Sequence, residues 1–374
     1  MHKIDFFGQN EMYLANKQEY LQTIDTVLSN ETFLRGDSVK NLEKKVAELC
    51  NRKFSVCVNS GTDALFIALK SLGVQPGDEI ILPTFSFVAS VTPILMLGAK
   101  PIFVDVHPET CMIQIDKIEQ AITTKTKGII VVDIFGECPD YLSIKTICSK
   151  HNIFYLEDAA QAFKSSFLTA PAGSFGDVST FSFDVSKTVY GISTGGMILT
   201  DSVDLYKMAA LLRGHGFLPE QRDFVYLGIN SQMSSTNAAL ISYRIDTEPK
   251  YHARRQKIRE LYDALLGAVT GVRLLKRHPK SVGNNHKYVI MVEENKRQEL
   301  IDFLASKGIP TKIHYDKPLP KYSVLSDPPS SDGFFTQATK ISNSIVSLPM
   351  HAFLSDENVI YICDCIKGFF SNGQ

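Results

Sequence analysis

Between residues 54 and 200 the chain alternates short apolar runs with longer amphipathic stretches, the pattern of βα units that assemble a parallel sheet. The apolar runs predict strands at Phe54–Val58, Glu79–Leu82, Lys100–Val104, Gly128–Asp133, Ile153–Glu157, Val178–Phe183 and Met197–Thr200. Apolar stripes at helical spacing predict helices at Thr62–Leu72, Ser86–Leu97, Asp140–Lys150 and Ser202–Arg213. After Gly228 the texture changes. A periodic stretch from about Ser234 to Leu266 predicts a helix broken or kinked near Pro249 and leading into a second domain. Beyond it KYVIMVEE reads as a strand, KRQELIDFLASKG as a helix with Gly308 just past its end, and IPTKIHY as another strand. SDPPSSDG (326–333) reads as a loop, and DENVIYICDCIKGFF closes the chain as an amphipathic helix. The expected architecture is α/β, with a mostly parallel seven-stranded sheet between helices over residues 1–245 and a smaller α+β domain over 246–374.

At 374 residues the chain is long enough for two such domains. Its 39 basic and 40 acidic side chains nearly cancel, which argues against nucleic acid or an anionic membrane as partner and makes any phosphate recognition local. No apolar run approaches the ~20 residues of a membrane span, and MHKIDFFGQNEMY lacks a signal-peptide core. Seven cysteines at irregular spacing suggest buried thiols in a reducing cytoplasm, and the Cys363-Asp364-Cys365 pair lacks partners at metal-site spacing, so no metal is expected.

Three short stretches could carry chemistry. In NSGTDAL (59–65) a strand ends and a helix begins. Ser60, Gly61 and Thr62 there offer hydroxyls, free N–H groups and the positive helix end to a phosphate, or Ser60 or Thr62 simply caps the helix. In YLEDAAQAF (155–163) Asp158 lies at the carboxyl end of a parallel strand, where open α/β sheets bind ligands, although it could equally cap a following helix. In FSFDVSKTVYG (181–191) Lys187 is a solvated loop lysine or the amine of a site. A phosphate cradle, a carboxylate and a lysine at the carboxyl edges of one sheet are the parts that hold pyridoxal phosphate. The lysine condenses with the aldehyde and the carboxylate keeps the pyridine nitrogen protonated.

With these stretches the chain resembles the DegT/StrS-type sugar aminotransferases, pyridoxal-phosphate enzymes of fold type I. The resemblance runs in order through NSGTDAL, GDEIILPTFSFVAS, GAKPIFVDV, DIFGECPD, LEDAAQAF, GDVSTFSFDVSK, GGMILT, LRGHG, GINSQMSSTNAAL, HARRQKI, IHYDKPLPK and SLPMHAFLSDENV. It implies that Lys187 is the Schiff-base and acid–base residue, that Asp158 pairs with the ring nitrogen, and that Gln161 lies near the ring hydroxyl. Gly61, Thr62 and Ser182 would hold the phosphate and Phe87 would stack on the ring, although Phe87 could be core and Ser182 an ordinary strand hydroxyl. Asn230 matches an asparagine supplied by a neighbouring subunit, which implies a homodimer with shared sites. His314 and Tyr315 would lie in the substrate-side loop; residues 215–230 would form a substrate-lining flap or an ordinary long loop, and His215 in it would face substrate or be a surface histidine. The implied reaction moves an amino group from L-glutamate, by way of the pyridoxamine form, to a nucleotide-linked ketosugar for deoxyamino-sugar and surface-polysaccharide synthesis.

The chain departs from the commonest family pattern around the lysine. Asp184 stands where many members have histidine, Thr188 where they have asparagine, and Ser193-Thr194 precede Gly195-Gly196 without an acid. The lysine-to-glycine spacing leans toward amination at C3 of the sugar. Competing readings are a pyridoxamine-dependent sugar dehydratase, against which Lys187 itself argues, and a cofactor-binding regulatory protein, which would want a basic face or an appended domain. A desulfurase-like enzyme would need a reactive loop cysteine, for which Cys138 is the candidate.

Overall fold

A computed structural model describes residues 4–325 and 335–371, so the loop expected at 326–333 lies outside the described residues. The central sheet contains β1 (Phe54–Val58), β2 (Glu79–Pro83), β3 (Lys100–Val104), β4 (Thr126–Val132), β5 (Phe154–Asp158), β6 (Val178–Ser182) and β7 (Gly196–Thr200). Its seven strands run in the order β1-β7-β6-β5-β4-β2-β3. Only β7 is antiparallel to its neighbours, β1 and β6; the other pairs are parallel.

Strand alternation sorts the core onto two faces. Val56, Ile80, Ile130, Leu156 and Ile198 point to one side, where they meet α2 (Gly61–Ser71) and α4 (Val203–Leu212). Cys57, Ile81, Val131, Tyr155 and Leu199 point to the other, against α1 (Asp37–Leu49), α3 (Tyr141–His151) and the first half of α5 (Ser235–Leu266). Both faces are covered, which is why these strands read as nearly continuous apolar runs.

Three expectations are corrected. The helix expected at Ser86–Leu97 is a 3₁₀ turn, Val88–Ser90, followed by a short helix, Thr92–Met96. Pro93 lacks an N–H and is tolerated only in a first helical turn, so the helix has to restart there. Of the break or kink expected at Pro249, the break does not occur: α5 runs continuously through it, with Ile245, Glu248, Tyr251 and Arg255 buried around the proline, and their packing outweighs one missing backbone bond. The strand expected at IPTKIHY is a single bridge, Lys312 with Ser347. Pro310 cannot donate to a ladder.

The second half of α5 (Ile258, Tyr262, Leu266) packs with α6 (Glu294–Ser306), α7 (Asp356–Ser371) and a three-stranded antiparallel sheet. That sheet runs β8 (Val272–Leu274), β9 (Tyr288–Val292) and β10 (Ile345–Leu348). Gly308 follows α6 at φ 74°, the left-handed conformation expected of it.

Next to Asp158, Glu157 is fully buried and accepts from Gly173 N–H at 2.7 Å, Phe175 N–H at 3.1 Å and the Ser179 hydroxyl at 2.7 Å. Glu157→Ala would strand three donors in the core and is expected to cost about 3–5 kcal/mol in urea denaturation, with Glu157→Gln recovering part of it. An unchanged midpoint would mean that the 173–175 loop does not depend on this carboxylate.

Candidate active site

At the carboxyl ends of β1, β5 and β6 lies a cavity of about 310 Å³, within the range of small-ligand sites. Ser60, Gly61, Thr62, Phe87, Asp158, Gln161, Ser182, Lys187, His314 and Tyr315 all line it. His215 and Asn230 do not: both are exposed on the segment between α4 and α5, joined by a bridge between Gly214 and Asn230.

The phosphate turn is built by close backbone approach. The Ser60 side chain accepts from Asp63 N–H at 3.0 Å, so it is the helix cap, leaving the Gly61 and Thr62 N–H groups at the start of α2 for an anion. A Cβ on Gly61 would meet Ser182 Cβ at 2.8 Å, and one on Gly196 would meet the Ser60 carbonyl oxygen at 2.2 Å. Gly196, the first residue of β7, is glycine so that the strand can pass under this turn.

Asp158 is buried and followed by a turn, so the helix-cap alternative falls away. The Ser90 hydroxyl donates to it at 2.8 Å and Ala160 N–H at 3.3 Å. Burial pushes its pKa up, against the opposing effects of these hydrogen bonds and the Lys187 charge. Lys187 is half-buried, and desolvation pulls its amine below the usual lysine range although Asp184 and Asp158 oppose this. No ion pair joins Lys187 to either carboxylate among the described residues.

Gln161 accepts from Phe135 N–H at 3.1 Å and donates to the Tyr315 hydroxyl at 3.4 Å. Phe87 is 55% exposed and therefore not a core residue; its ring lies 5.9 Å from that of Tyr315 across the cavity mouth. Ser182 is buried at the cavity wall and accepts from Asp184 N–H at 3.3 Å. His314 shares a 2.8 Å hydrogen bond with the Ser347 hydroxyl. Desolvation, then Lys287, Lys312 and Lys187, bring its pKa down to about 2, so the ring is neutral.

Several lining residues were not anticipated. Phe7 belongs to the N-terminal stretch, Ser86 and Ser90 follow β2, and Asp184 and Lys287 add charge. Burial raises the Asp184 carboxyl, but donation from the Ser186 hydroxyl and N–H and the nearby Lys187 charge outweigh it, so the net shift is downward. Ser90 could have been found by counting hydroxyls in PTFSFVAS. Lys287 gave no signal beyond its place in an apolar run. Cys138 is fully buried and its thiol is pushed well up by desolvation, the opposite of a reactive cysteine.

A buried carboxylate, a desolvated amine and an anion turn around one cavity fit pyridoxal phosphate. Of the residues lining the cavity, Asp158 would meet the ring nitrogen, Lys187 the aldehyde, and Gly61, Thr62 and Ser182 the phosphate. Fold and site together define a fold type I pyridoxal-phosphate-dependent transferase. More narrowly, residues 15–367 match the DegT/DnrJ/EryC1/StrS aminotransferase family, and the chain belongs to it.

Among its relatives is a protein named pleiotropic regulatory protein, from Geobacillus stearothermophilus, 34% identical over 96% of this chain and 97% of that one. Another is the UDP-2-acetamido-2-deoxy-3-oxo-D-glucuronate aminotransferase of Pseudomonas aeruginosa, 31% identical over 96% and 98% of the two chains. The crystal structure of S. venezuelae DesV in complex with a ketimine intermediate superposes with a TM-score of 0.94 at 26% identity, covering 99% of both chains.

Gly196→Ala would drive a methyl group into the Ser60–Gly61 backbone. It is expected to weaken cofactor binding about tenfold or more, measured by titrating the apoprotein with pyridoxal phosphate. Unaltered affinity would mean that the turn can retreat without loss of the anion site.

Proposed function

We propose that this enzyme moves the amino group of L-glutamate to a nucleotide-linked keto-deoxysugar, with C3 as the carbon aminated, in the synthesis of deoxyamino sugars for surface polysaccharide. The observation that carries the reading is the pairing of Lys187 with Asp158 around one cavity, without an ion pair between them, beside the Gly61–Thr62 turn. The sugar and the C3 preference draw on the relative named for a 3-oxo-glucuronate substrate and on the lysine-to-glycine spacing.

Pyridoxal phosphate supplies the electron sink and carries the amino group between the two substrates. Lys187 does the proton work. Because burial lowers its pKa, more of its amine is neutral near pH 7 than in an exposed lysine, and it can take a proton from the donor's α-carbon and return one to the sugar carbon. Asp158, fixed by Ser90 and Ala160 N–H, offers a carboxylate to the protonated ring nitrogen. Gln161, hydrogen-bonded to Tyr315, would lie near the ring hydroxyl. Phe87 covers the mouth.

Asn230, exposed on its own chain, is assigned to the site of a second copy in a homodimer, and His215 to the same substrate-side flap. No described helix is long and apolar enough to cross a membrane, and all seven cysteines are free, which agrees with a cytoplasmic enzyme.

The test is the visible spectrum of the holoenzyme. L-glutamate should shift the cofactor band to that of the amine form, and a nucleotide-linked 3-ketosugar should shift it back. Lys187→Ala should bind cofactor and lose at least about 10³-fold of both responses. Cofactor binding without any response to amino donors would instead favour a regulatory role.

A further inference from the structure

Lys287 stands just before β9, and alternation along that strand puts it on the same face as Val289 and Met291. Those two residues belong to the apolar cluster shared with the large sheet, whereas Tyr288, Ile290 and Val292 pack into the small domain. A lysine has thus been set in an inward-facing row. Its side chain is 8% exposed and ends at the wall of the active-site cavity.

There its ammonium has no hydrogen bond or ion pair among the described residues and lies over the Phe7 ring at 5.8 Å. Lys312 sits over the same ring at 4.6 Å. The neighbouring histidine, His314, is neutral and hydrogen-bonded to Ser347. Lys187 adds a further cation, and Asp184 is the nearby carboxylate, already occupied by two bonds from Ser186. Burial, then Lys187 and Lys312, bring the Lys287 pKa down to about 7, which Asp184 only partly opposes. A buried amine among other cations, with no acid of its own, costs folding free energy that a bound anion would offset.

We propose that Lys287 is the receptor for a substrate carboxylate in this cavity, distinct from the Gly61–Thr62 phosphate turn. The proposal rests on the reading that amino donor and nucleotide sugar share this cavity. Two sources offer that chemistry: the carboxylates of the amino donor, and the carboxylate of a uronic-acid sugar. Phe7 lines the cavity beside Lys287.

The experiment compares wild-type holoenzyme with Lys287→Gln and Lys287→Arg. One arm measures the L-glutamate concentration that half-saturates the first half-reaction, read from cofactor absorbance. The other measures binding of UDP-glucuronate and UDP-glucose by calorimetry. Lys287→Gln should weaken at least one carboxylate probe about 10- to 100-fold and leave UDP-glucose within about twofold. Lys287→Arg should recover part of the loss. The melting temperature should not fall, because an unpaired buried amine has been removed.

A loss confined to L-glutamate assigns the donor carboxylate, and one confined to UDP-glucuronate assigns the sugar acid. The proposal is overturned if both carboxylate probes bind Lys287→Gln as they bind wild type, or if UDP-glucose is weakened equally. A wild-type enzyme inert to L-glutamate would contradict the proposed reaction instead, and the UDP-glucuronate comparison would still decide the role of Lys287.

Discussion

The structure turns on two ionisable groups, buried Asp158 and half-buried Lys187, that face one cavity and stay apart. Asp158 has Ser90 and a backbone N–H but no cation; Lys187 has Asp184 and Asp158 nearby but no ion pair. Each is costly alone in a low-dielectric site, and a direct salt bridge would relieve both. The fold holds them on different elements, a strand end and a loop, and no ion pair forms between them among the described residues. Asp158 ends β5, and Lys187 sits on the loop after β6, tied back through its own N–H to the Asp184 carbonyl at 2.8 Å. A group with a basic ring nitrogen at one end and an aldehyde at the other satisfies both.

Everything around the pair serves to hold that separation. The sheet is packed on both faces, and β5 and β6 stay buried to their carboxyl ends. Glu157, one residue before Asp158, anchors the 173–175 loop from beneath. Glycine at 61 and 196 lets β1, β6 and β7 approach closely enough for one helix end to face the same cavity. Residues beside β9 and β10, namely Lys287, His314 and Tyr315, complete the lining of the cavity.

The seven-stranded sheet was legible because its signals are local. Apolar runs bounded by turns mark all seven strands, and Ser60, Asp140 and Ser202 mark helix starts, each as a side-chain acceptor at the first turn. Lys187 and Asp158 were legible as motifs at strand ends. What failed is tertiary. The IPTKIHY segment carries a strand's composition, yet it makes one bridge and then bends so that His314 and Tyr315 reach the cavity. Pro249 reads as a helix break, and packing on either side of it overrides that signal. A single lysine in KYVIMVEE gives no hint that its face of the strand is inward, so Lys287 carried no signal in the sequence. Phe7 lies almost the whole chain away from the residues it covers.

The measurement closest to the central claim follows the nitrogen. Holoenzyme would be incubated with amino-¹⁵N L-glutamate and a nucleotide-linked 3-ketosugar, and the sugar product examined by mass spectrometry and NMR. The account predicts ¹⁵N on C3 of the sugar, and its disappearance with Lys187→Ala. Label retained in glutamate, or an aminated sugar formed equally well without Lys187, would contradict it.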